Sequence, residues 1–403
     1  MLHYAIAAGL VLGLLTGLAA SATGNSVLLA IANGAAPFGE VFMNAIKMIV
    51  LPLIATVIFS SVARLGDPRK LGRIGGTTLA FYWLSLFPAI VIGMLVMNAG
   101  LAFVPSMNLA EAKATEVPEI RGFVEFLTSL VPSNPFAAAS AGQMLPIIVF
   151  VALVAAATGT LPDRKRERLM SLAEDVSAAL IKVVWWILYT APIGVFGLAA
   201  PATAKLGWDL VVSLAVFIAC VFIGLLVLFV VVFIPLLAIV AKIRPGKFFA
   251  GTFGALSVAV STTSTAAAIP VALEETTNNL GVSKSVADLL VPLGASLYRP
   301  GSALFQGAAI VFLAHIFGVE IPAAAIGAAI LATFLVSLTV APVPSSGVVT
   351  MAPALDAVGV PVSGLAFMLG IDRIPDMMRT SVNELAQITT AVLVDKWQPD
   401  ADD

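Results

Sequence analysis

The chain has 403 residues, of which 60% are hydrophobic and only 11% are charged. About one quarter of the residues of a soluble globular protein are charged, so this composition is typical of a polytopic membrane protein. The formal net charge of -2 and the lack of a long basic run argue against a nucleic-acid partner. The only cysteine, Cys220, cannot form an internal disulfide, and the histidines His3 and His315 form no cluster at metal-ligand spacing. We therefore expect neither a metal nor a cofactor.

The first 241 residues contain six apolar runs that are long enough to cross a bilayer, which takes about 20 residues each. The first run has no Lys or Arg ahead of it, so a first span is favoured over a cleaved signal peptide. The predicted spans cover residues 4–21, 36–63, 77–104, 137–160, 175–203 and 208–241.

The pattern changes after residue 241, where polar or Pro/Gly-rich stretches interrupt three of the next four apolar segments. The interruptions lie at 261–270, 298–302 and 341–349, and the fourth segment, 364–394, is the last predicted span. Non-helical backbone at membrane depth is tolerated only where protein or water satisfies its hydrogen bonds. Two interrupted segments in matching half-repeats indicate the binding site of a transporter. The alternative is that the prolines only kink ordinary spans, but the hydroxyl-rich first and third interruptions favour re-entrant hairpins.

Basic loops follow the second, fourth and sixth spans, whereas the loop after the third span is acidic on balance. The positive-inside rule then places both termini in the cytoplasm, with the first hairpin entering from inside and the second from outside. We predict an all-α polytopic membrane protein with eight transmembrane helices and two re-entrant helical hairpins, arranged as inverted repeats. Residues 1–403 are predicted to form a single integral membrane domain in the cell membrane.

The last span carries an unusual number of charges in the stretch 370–387. Ionisable groups at membrane depth are costly, so they normally face a bundle interior and mark a substrate or ion path. In a helix, steps of three and four residues return to one face, and this face collects Asp372, Asp376, Arg379, Thr380, Asn383 and Gln387. Its charges match a zwitterion with an extra carboxylate. The alternative is an Asp376–Arg379 ion pair that only holds helices together.

The motifs resemble those of the glutamate transporter family, the dicarboxylate/amino acid:cation symporters, over essentially the whole chain. The resemblance is carried by the Ser/Thr-rich first hairpin and by residues 44–54, 131–136, 142–148, 292–296, 301–306, 343–347 and 372–383. It implies a homotrimer in which each protomer moves its substrate by an elevator motion. It also implies a scaffold part, about 1–63 and 137–203, and a transport part, about 77–104 and 208–396.

The resemblance assigns roles to residues of the last span. Arg379 matches the arginine that holds the side-chain carboxylate of aspartate or glutamate, and Asp376 matches the acceptor of the α-amino group. Asn383 and Thr380 match residues around the α-carboxylate. Because both Arg379 and Asp376 are present, an acidic amino acid is favoured as the substrate. Further contacts are expected from Thr263, Ser264, Thr265, Ser302, Ser345 and Gly347.

The chain departs from the family where sodium is held. The family's Asn-Met-Asp-Gly-Thr motif is replaced by Tyr298, Arg299, Pro300 and the two residues that follow, and a second sodium-binding aspartate aligns with Gln387. Sodium prefers oxygen ligands that include a carboxylate and is repelled by a guanidinium. Our hypothesis is that Arg299 is a tethered cation that replaces sodium, so that transport is sodium-independent. The alternative is a structural role for Arg299, for instance paired with Glu384 or capping carbonyls beside Pro300.

A sodium-independent carrier is a uniporter, an exchanger or a proton symporter. Glu384 is the candidate proton-binding group, whereas Gln306 replaces the glutamate of proton-coupled animal members. Sodium coupling through backbone carbonyls, dicarboxylate substrates and an anion-channel leak remain alternatives. A hydrolase is disfavoured because Ser261 and Ser264 have no His or Lys in the same apolar core to act as a base.

Overall fold

The computed structural model of the chain describes residues 2–64, 72–105, 128, 130–141, 143–340 and 345–397. Most of the loop after the second predicted span, most of the acidic loop after the third, part of the 341–349 interruption and the last six residues lie outside these ranges. All regular secondary structure in the described ranges is helical. The prediction of an all-α fold is confirmed.

The described part of the first half of the chain forms eight α-helices. They are α1 (Leu2–Thr23), α2 (Ser26–Gly34), α3 (Ala36–Arg64), α4 (Gly72–Gly100), α5 (Pro135–Ser140), α6 (Met144–Gly159), α7 (Asp163–Leu206) and α8 (Trp208–Leu228). Helix α8 is extended by two π-helical turns, Phe229–Phe233 and Leu236–Val240.

The described part of the second half of the chain forms nine shorter α-helices, separated by breaks, and then one longer α-helix that ends at Trp397. In order they are α9 (Pro245–Gly251), α10 (Phe253–Thr262), α11 (Thr265–Asn278), α12 (Lys284–Leu297), α13 (Pro300–Ile316), α14 (Ala323–Ser337), α15 (Ser346–Val349), α16 (Ala352–Asp356), α17 (Leu365–Ile371) and α18 (Arg373–Trp397). By length and composition, the described helical stretches Ser26–Ser60, Gly76–Phe103, Asp163–Leu206 and Trp208–Val240 are apolar enough to cross a membrane.

Helices α1, α3 and α6 pack together with α7 in one group. Glycines on one face of α1 allow its backbone to approach α7 closely, as small residues do between membrane helices. A methyl group on Gly17 would lie 2.6 Å from the Ala200 carbonyl oxygen, and one on Gly9 would overlap the Pro192 carbonyl. The contact between α1 and α7 therefore depends on the absence of side chains.

A second group contains α4, α8, α12, α13 and α18, with the hairpin α10–α11 packed on α18. Helix α13 lies at its centre, because its residues from Pro300 to Ile310 are all buried. At Gly93, α4 touches the α13 backbone so closely that a methyl group would overlap the Leu304 carbonyl. The polar residues Ser302 and Gln306 of α13 and Asn383 and Gln387 of α18 are thus buried within this group of helices.

A break lies within each of the predicted interruptions at 261–270 and 298–302, although each break is shorter than predicted. Helix α10 ends at Thr262 and α11 begins at Thr265, and the break between α12 and α13 falls at residues 298–299. The third interruption is described only from Ser345 onward, and Ser345 has a left-handed backbone with φ 60°. Residues 341–344 lie outside the described part of the chain.

Two predicted helices are divided in the structure. The predicted span 137–160 is not continuous, because α5 ends at Ser140 and α6 begins at Met144. Asn134 caps the beginning of α5, since its side-chain oxygen accepts hydrogen bonds from two backbone N–H groups of the first turn. The charged stretch of the last span is also divided, with Asp372 at the junction of α17 and α18.

Candidate functional site

Arg379 of α18 is the centre of the buried charged cluster, with 1% of its surface exposed. Its guanidinium lies 2.7 Å from an Asp376 carboxylate oxygen and 2.9 Å from an Asp372 carboxylate oxygen. The Phe305 ring on α13 stacks against it, with the guanidinium carbon 4.4 Å from the ring centroid. A buried charge is tolerated when it is paired and hydrogen-bonded. The Asp376–Arg379 pair considered from the sequence is therefore present, and Asp372 is a second partner.

The second hairpin segment, described here from Ser345 to Val349, lies against the charged cluster formed by Arg379, Asp372 and Asp376. The Ser345 backbone N–H donates to the second carboxylate oxygen of Asp376 at 3.1 Å. A methyl group on Gly347 would lie 3.4 Å from the Arg379 guanidinium carbon. From α13, the Gln306 side-chain amide donates to the Gly347 carbonyl at 3.0 Å and holds the segment in place. Ser345 and Gly347 thus lie beside Asp376 and Arg379.

Asn383 joins α18 to the beginning of α13. Its side-chain oxygen accepts from the Gly301 N–H at 2.8 Å, and its amide nitrogen donates to the Ser302 hydroxyl at 3.2 Å. The two helices touch here, because a methyl group on Gly301 would lie 2.5 Å from the Arg379 carbonyl oxygen. Thr380 is also buried at this contact face of α18. Two predicted substrate residues, Asn383 and Ser302, therefore bind each other.

The tip of the first hairpin is connected to α18 by Arg373. Thr263 has a left-handed backbone with φ 52°, and its hydroxyl accepts from the Arg373 guanidinium at 3.2 Å. Ser264 caps α11 through a hydrogen bond from the Ala267 N–H at 3.4 Å. Thr265 is buried, and its hydroxyl has no hydrogen-bond partner among the described residues. Sequence reasoning passed over Arg373, although it stands three residues before Asp376 and hence on a neighbouring position of the same helix.

Arg299 occupies the break between α12 and α13 and is 5% exposed. Its guanidinium donates to the Ala295 carbonyl in the last turn of α12, and its Nε atom has no hydrogen-bond partner among the described residues. Within the same described ranges, Arg299 forms no ion pair shorter than 4.0 Å. The carbonyl-capping role considered from the sequence is therefore present, whereas direct pairing with Glu384 is not.

Aromatic and amide groups surround this break. Tyr298 stacks on Tyr82 of α4 with ring centroids 4.2 Å apart, and its hydroxyl lies 2.6 Å from that of Ser85. The Gln387 side chain donates to the Tyr298 carbonyl at 3.0 Å. Pro300 begins α13, where its missing N–H leaves no unsatisfied donor. The predicted replacements at Tyr298, Pro300 and Gln387 thus lie together around the Arg299 backbone.

Glu384 of α18 is a third buried carboxylate, in addition to Asp372 and Asp376, with 1% of its surface exposed. One of its carboxylate oxygens has no hydrogen-bond partner in the described part of the chain. Arg299 is close enough to attract it electrostatically, and Glu275 of α11 is close enough to repel it. The described residues contain no group of three or more His, Cys, Asp or Glu side chains arranged to hold a metal ion.

The structure contains buried charges inside a bundle of apolar helices, and these charges lie next to interrupted helices. This combination defines a multi-pass membrane protein of the solute-transporter class. The model of the sodium:dicarboxylate symporter family matches residues 2–397, and the chain belongs to this family. The family consists of symporters, which move solutes and are not enzymes.

Characterised relatives cover nearly the whole chain. The proton/sodium-glutamate symport protein of Geobacillus stearothermophilus is 30% identical over 98% of this chain and 94% of its own length. The proton/glutamate-aspartate symporter of Escherichia coli (strain K12) is 31% identical over 91% of this chain and 86% of its own. The C4-dicarboxylate transport protein of Anaeromyxobacter sp. (strain K) is 29% identical over 100% of this chain and 90% of its own. The predicted resemblance is confirmed.

Proposed function

We propose that the protein transports acidic amino acids, aspartate or glutamate, across the cell membrane. The observation that carries the proposal is the buried Arg379, which lies beside Asp376 and beneath the second hairpin segment. A guanidinium binds a carboxylate in two parallel hydrogen bonds, and a buried ammonium requires an anionic partner. The names of two relatives, a glutamate symporter and a glutamate-aspartate symporter, support the same substrate class.

Binding exchanges internal ion pairs for pairs with the substrate. The side-chain carboxylate of the substrate pairs with Arg379, and its ammonium group pairs with Asp376. Arg379 thus exchanges the Asp376 carboxylate for the substrate's carboxylate, and Asp376 exchanges the Arg379 guanidinium for the substrate's ammonium group. Both charges therefore stay paired in the low-dielectric interior. Asp372 stays with Arg379 and keeps it partly neutralised. The remaining contacts come from the hairpin tips, α13 and α18, through Thr263, Ser264, Thr265, Ser302, Ser345, Gly347, Thr380 and Asn383.

Transport is proposed to be independent of sodium because Arg299 provides a fixed positive charge. Its burial without an ion pair in the described ranges supports this role, since its charge remains available to neighbouring carboxylates. The side chains at the positions of the family's sodium ligands, those of Tyr298, Pro300 and Gln387, include no carboxylate, the ligand that sodium prefers in proteins. The carboxylates that do interact with this region, those of Asp376 and Glu384, are attracted to the Arg299 guanidinium instead.

The mechanism proposed is an elevator motion of each protomer within a homotrimer. Each protomer is proposed to have eight spans and two re-entrant hairpins, with both termini in the cytoplasm. Residues 77–104 and 208–396 form the moving part, and residues 1–63 and 137–203 form the scaffold. The packing supports this division, because α1, α3 and α6 gather on α7, while α4, α8, α12 and α18 gather on or beside α13. The family membership supports it as well.

Proton-coupled symport is the second candidate. It is favoured by Glu384, a buried carboxylate that interacts electrostatically with Arg299 and Glu275. One oxygen of this carboxylate has no hydrogen-bond partner among the described residues. The relatives named as a proton/sodium-glutamate symport protein and a proton/glutamate-aspartate symporter favour it too, and the first of these names includes sodium as well. A C4-dicarboxylate substrate, as named for another relative, is disfavoured because Asp376 would then face an anion without an ammonium partner.

The test is uptake of labelled aspartate and glutamate into proteoliposomes, measured with sodium, without sodium and with an imposed proton gradient. Arg379→Ala is expected to abolish saturable uptake and counterflow, while Arg168→Ala, an exposed arginine on α7, retains both. Arg379→Lys keeps the positive charge but loses the planar fork, so its affinity is expected to fall while the protein stays folded.

Undiminished aspartate uptake by Arg379→Ala would contradict the proposed site. Uptake that requires sodium would contradict the role of Arg299 and leave the substrate assignment intact. A response to the proton gradient would favour symport through a protonated carboxylate over uniport or exchange.

A further inference from the structure

Two hydroxyl groups join α4 to the break between α12 and α13. The Tyr298 hydroxyl lies 2.6 Å from the Ser85 hydroxyl, and the Ser85 hydroxyl donates to the Phe81 carbonyl oxygen at 2.7 Å. Because the Ser85 proton is used within α4, Tyr298 is the donor in the bond between the two hydroxyls. Both side chains are buried, so water competes little for this bond.

The other groups of Tyr298 are fixed as well. Its ring stacks on that of Tyr82, with centroids 4.2 Å apart and planes 11° from parallel. The Tyr82 hydroxyl in turn donates to the Leu290 carbonyl of α12 at 3.2 Å. The Tyr298 carbonyl accepts a hydrogen bond from the Gln387 side chain of α18 at 3.0 Å. The first residue of the break is therefore held through its ring, its hydroxyl and its backbone.

Arg299, the second residue of the break, is held less firmly than its neighbour. Its guanidinium donates to the Ala295 carbonyl, and its Nε atom has no hydrogen-bond partner among the described residues. Its charge is attracted to the carboxylates of Asp376 and Glu384 on α18. An arginine side chain has many rotamers, so the position of this charge depends on the backbone that carries it.

Tyr298 sets the direction of that backbone. Tyr298 and Arg299 are both extended, with φ angles of -127° and -138°. Successive side chains of an extended chain point to opposite sides. Because the Tyr298 side chain points to α4, the Arg299 side chain points away from α4. A turn of the Tyr298 ring would therefore move the guanidinium relative to the carboxylates that it attracts.

We propose that Ser85 of α4 is a positioning residue for Arg299 and acts through its hydrogen bond with Tyr298. The inference rests on the proposed role of Arg299 and extends it to α4, of which sequence reasoning named no residue as part of the site. The serine hydroxyl contributes to substrate affinity without touching the substrate, because it fixes the distance between the guanidinium and the bound anion.

The test is a double-mutant cycle of Tyr298→Phe and Arg299→Met. The measured quantity is the dissociation constant of aspartate, from calorimetric titration of the detergent-solubilised protein. Tyr298→Phe removes the hydroxyl and keeps the stacked ring, and it leaves no unpaired proton, because Ser85 still donates to Phe81. The matched control is Tyr189→Phe, since Tyr189 is an exposed tyrosine of α7.

A hydrogen bond between uncharged groups changes an equilibrium constant by a factor of about 3 to 10, and we expect Tyr298→Phe to weaken aspartate binding by this factor. In the Arg299→Met background no guanidinium is left to position, so the same change is expected to alter the dissociation constant by less than about twofold. Ser85→Ala is expected to follow the same pattern, whereas Ser85→Thr keeps the hydroxyl and the wild-type affinity. The serine variants carry the test if Tyr298→Phe does not fold.

An equal loss of affinity from Tyr298→Phe in both backgrounds would show that the hydroxyl acts independently of Arg299, and the inference would be overturned. Wild-type affinity in Tyr298→Phe would overturn it too. Both of these results leave the proposed role of Arg299 intact. If Arg299→Met alone binds aspartate as tightly as the wild-type protein, that role fails and the inference fails with it. A wild-type protein that does not bind aspartate would overturn the proposed substrate and the inference together.

Discussion

Replacing Arg299 by methionine tests whether a fixed guanidinium substitutes for a bound cation. Methionine is long, unbranched and flexible, so it fills most of the same volume without a charge. With all groups ionised, the buried residues Arg299 and Arg379 face three carboxylates, Asp372, Asp376 and Glu384. The substitution therefore raises the excess of negative charge at the site from one to two.

The expected loss follows from Coulomb's law. An acidic amino acid carries one net negative charge, and for a separation of about 8 Å the loss of a positive charge costs about 2 kcal/mol at an effective dielectric constant of about 20. This corresponds to a dissociation constant about 30-fold higher. Arg299→Lys keeps the positive charge and serves as the matched control, with an expected change of less than about fivefold.

The assay is calorimetric titration of aspartate into the detergent-solubilised protein, in sodium chloride and in choline chloride. The wild-type dissociation constant is expected to be the same in both salts. An unaltered affinity in Arg299→Met would refute the electrostatic reasoning, since it would show that the substrate does not sense this charge. A loss of equal size in Arg299→Lys would refute it as well, because the loss would then reflect packing at the break between α12 and α13.

Two further predictions concern α13 and α18. Glu384→Gln is expected to remove any stimulation of aspartate uptake by an inward proton gradient, and persistent stimulation would show that another group carries the proton. Gly301→Ala is expected to lower the stability of the folded protein by about 1–3 kcal/mol, because its methyl group would lie 2.5 Å from the Arg379 carbonyl oxygen. Thermal unfolding measures this loss, and the control is Gly76→Ala, whose methyl group would meet nothing within 4 Å. Equal melting temperatures for Gly301→Ala and Gly76→Ala would contradict the close contact between α13 and α18.

The breaks in the second half of the chain were predictable, because they are local. Ser/Thr-rich residues before Pro270 and the pair Arg299-Pro300 disfavour a continuous helix whatever surrounds them. The beginning of α5 at Pro135 was missed because a hydrophobicity pattern does not reveal a helix cap. Its start depends on Asn134, whose side chain accepts hydrogen bonds from Phe136 and Ala137.

The contacts of the candidate site that lie within one helix were predictable from the sequence, whereas the contacts between different helices were less so. The neighbours Asp376 and Arg379 follow from spacing along α18, and so does their ion pair. The link from Arg373 to Thr263 joins positions 110 residues apart, and one sequence contains no signal for that contact. The same holds for Asn383, whose hydrogen bonds to Gly301 and Ser302 depend on how closely α13 approaches α18.

The glycine-lined contact between α1 and α7 has a consequence for synthesis of the chain. Gly9 enters the membrane about 180 residues before its partner Pro192 has been translated. At about 5–20 residues per second, this delay lasts roughly 10–40 s. During that interval the bare face of α1 is covered only by lipid or by the translocation machinery, and it gains its partner when α7 is inserted. A side chain such as that of Gly17→Leu would already be present on this face before α7 arrives, and it would block the close approach of α7 both during insertion and in the folded protein.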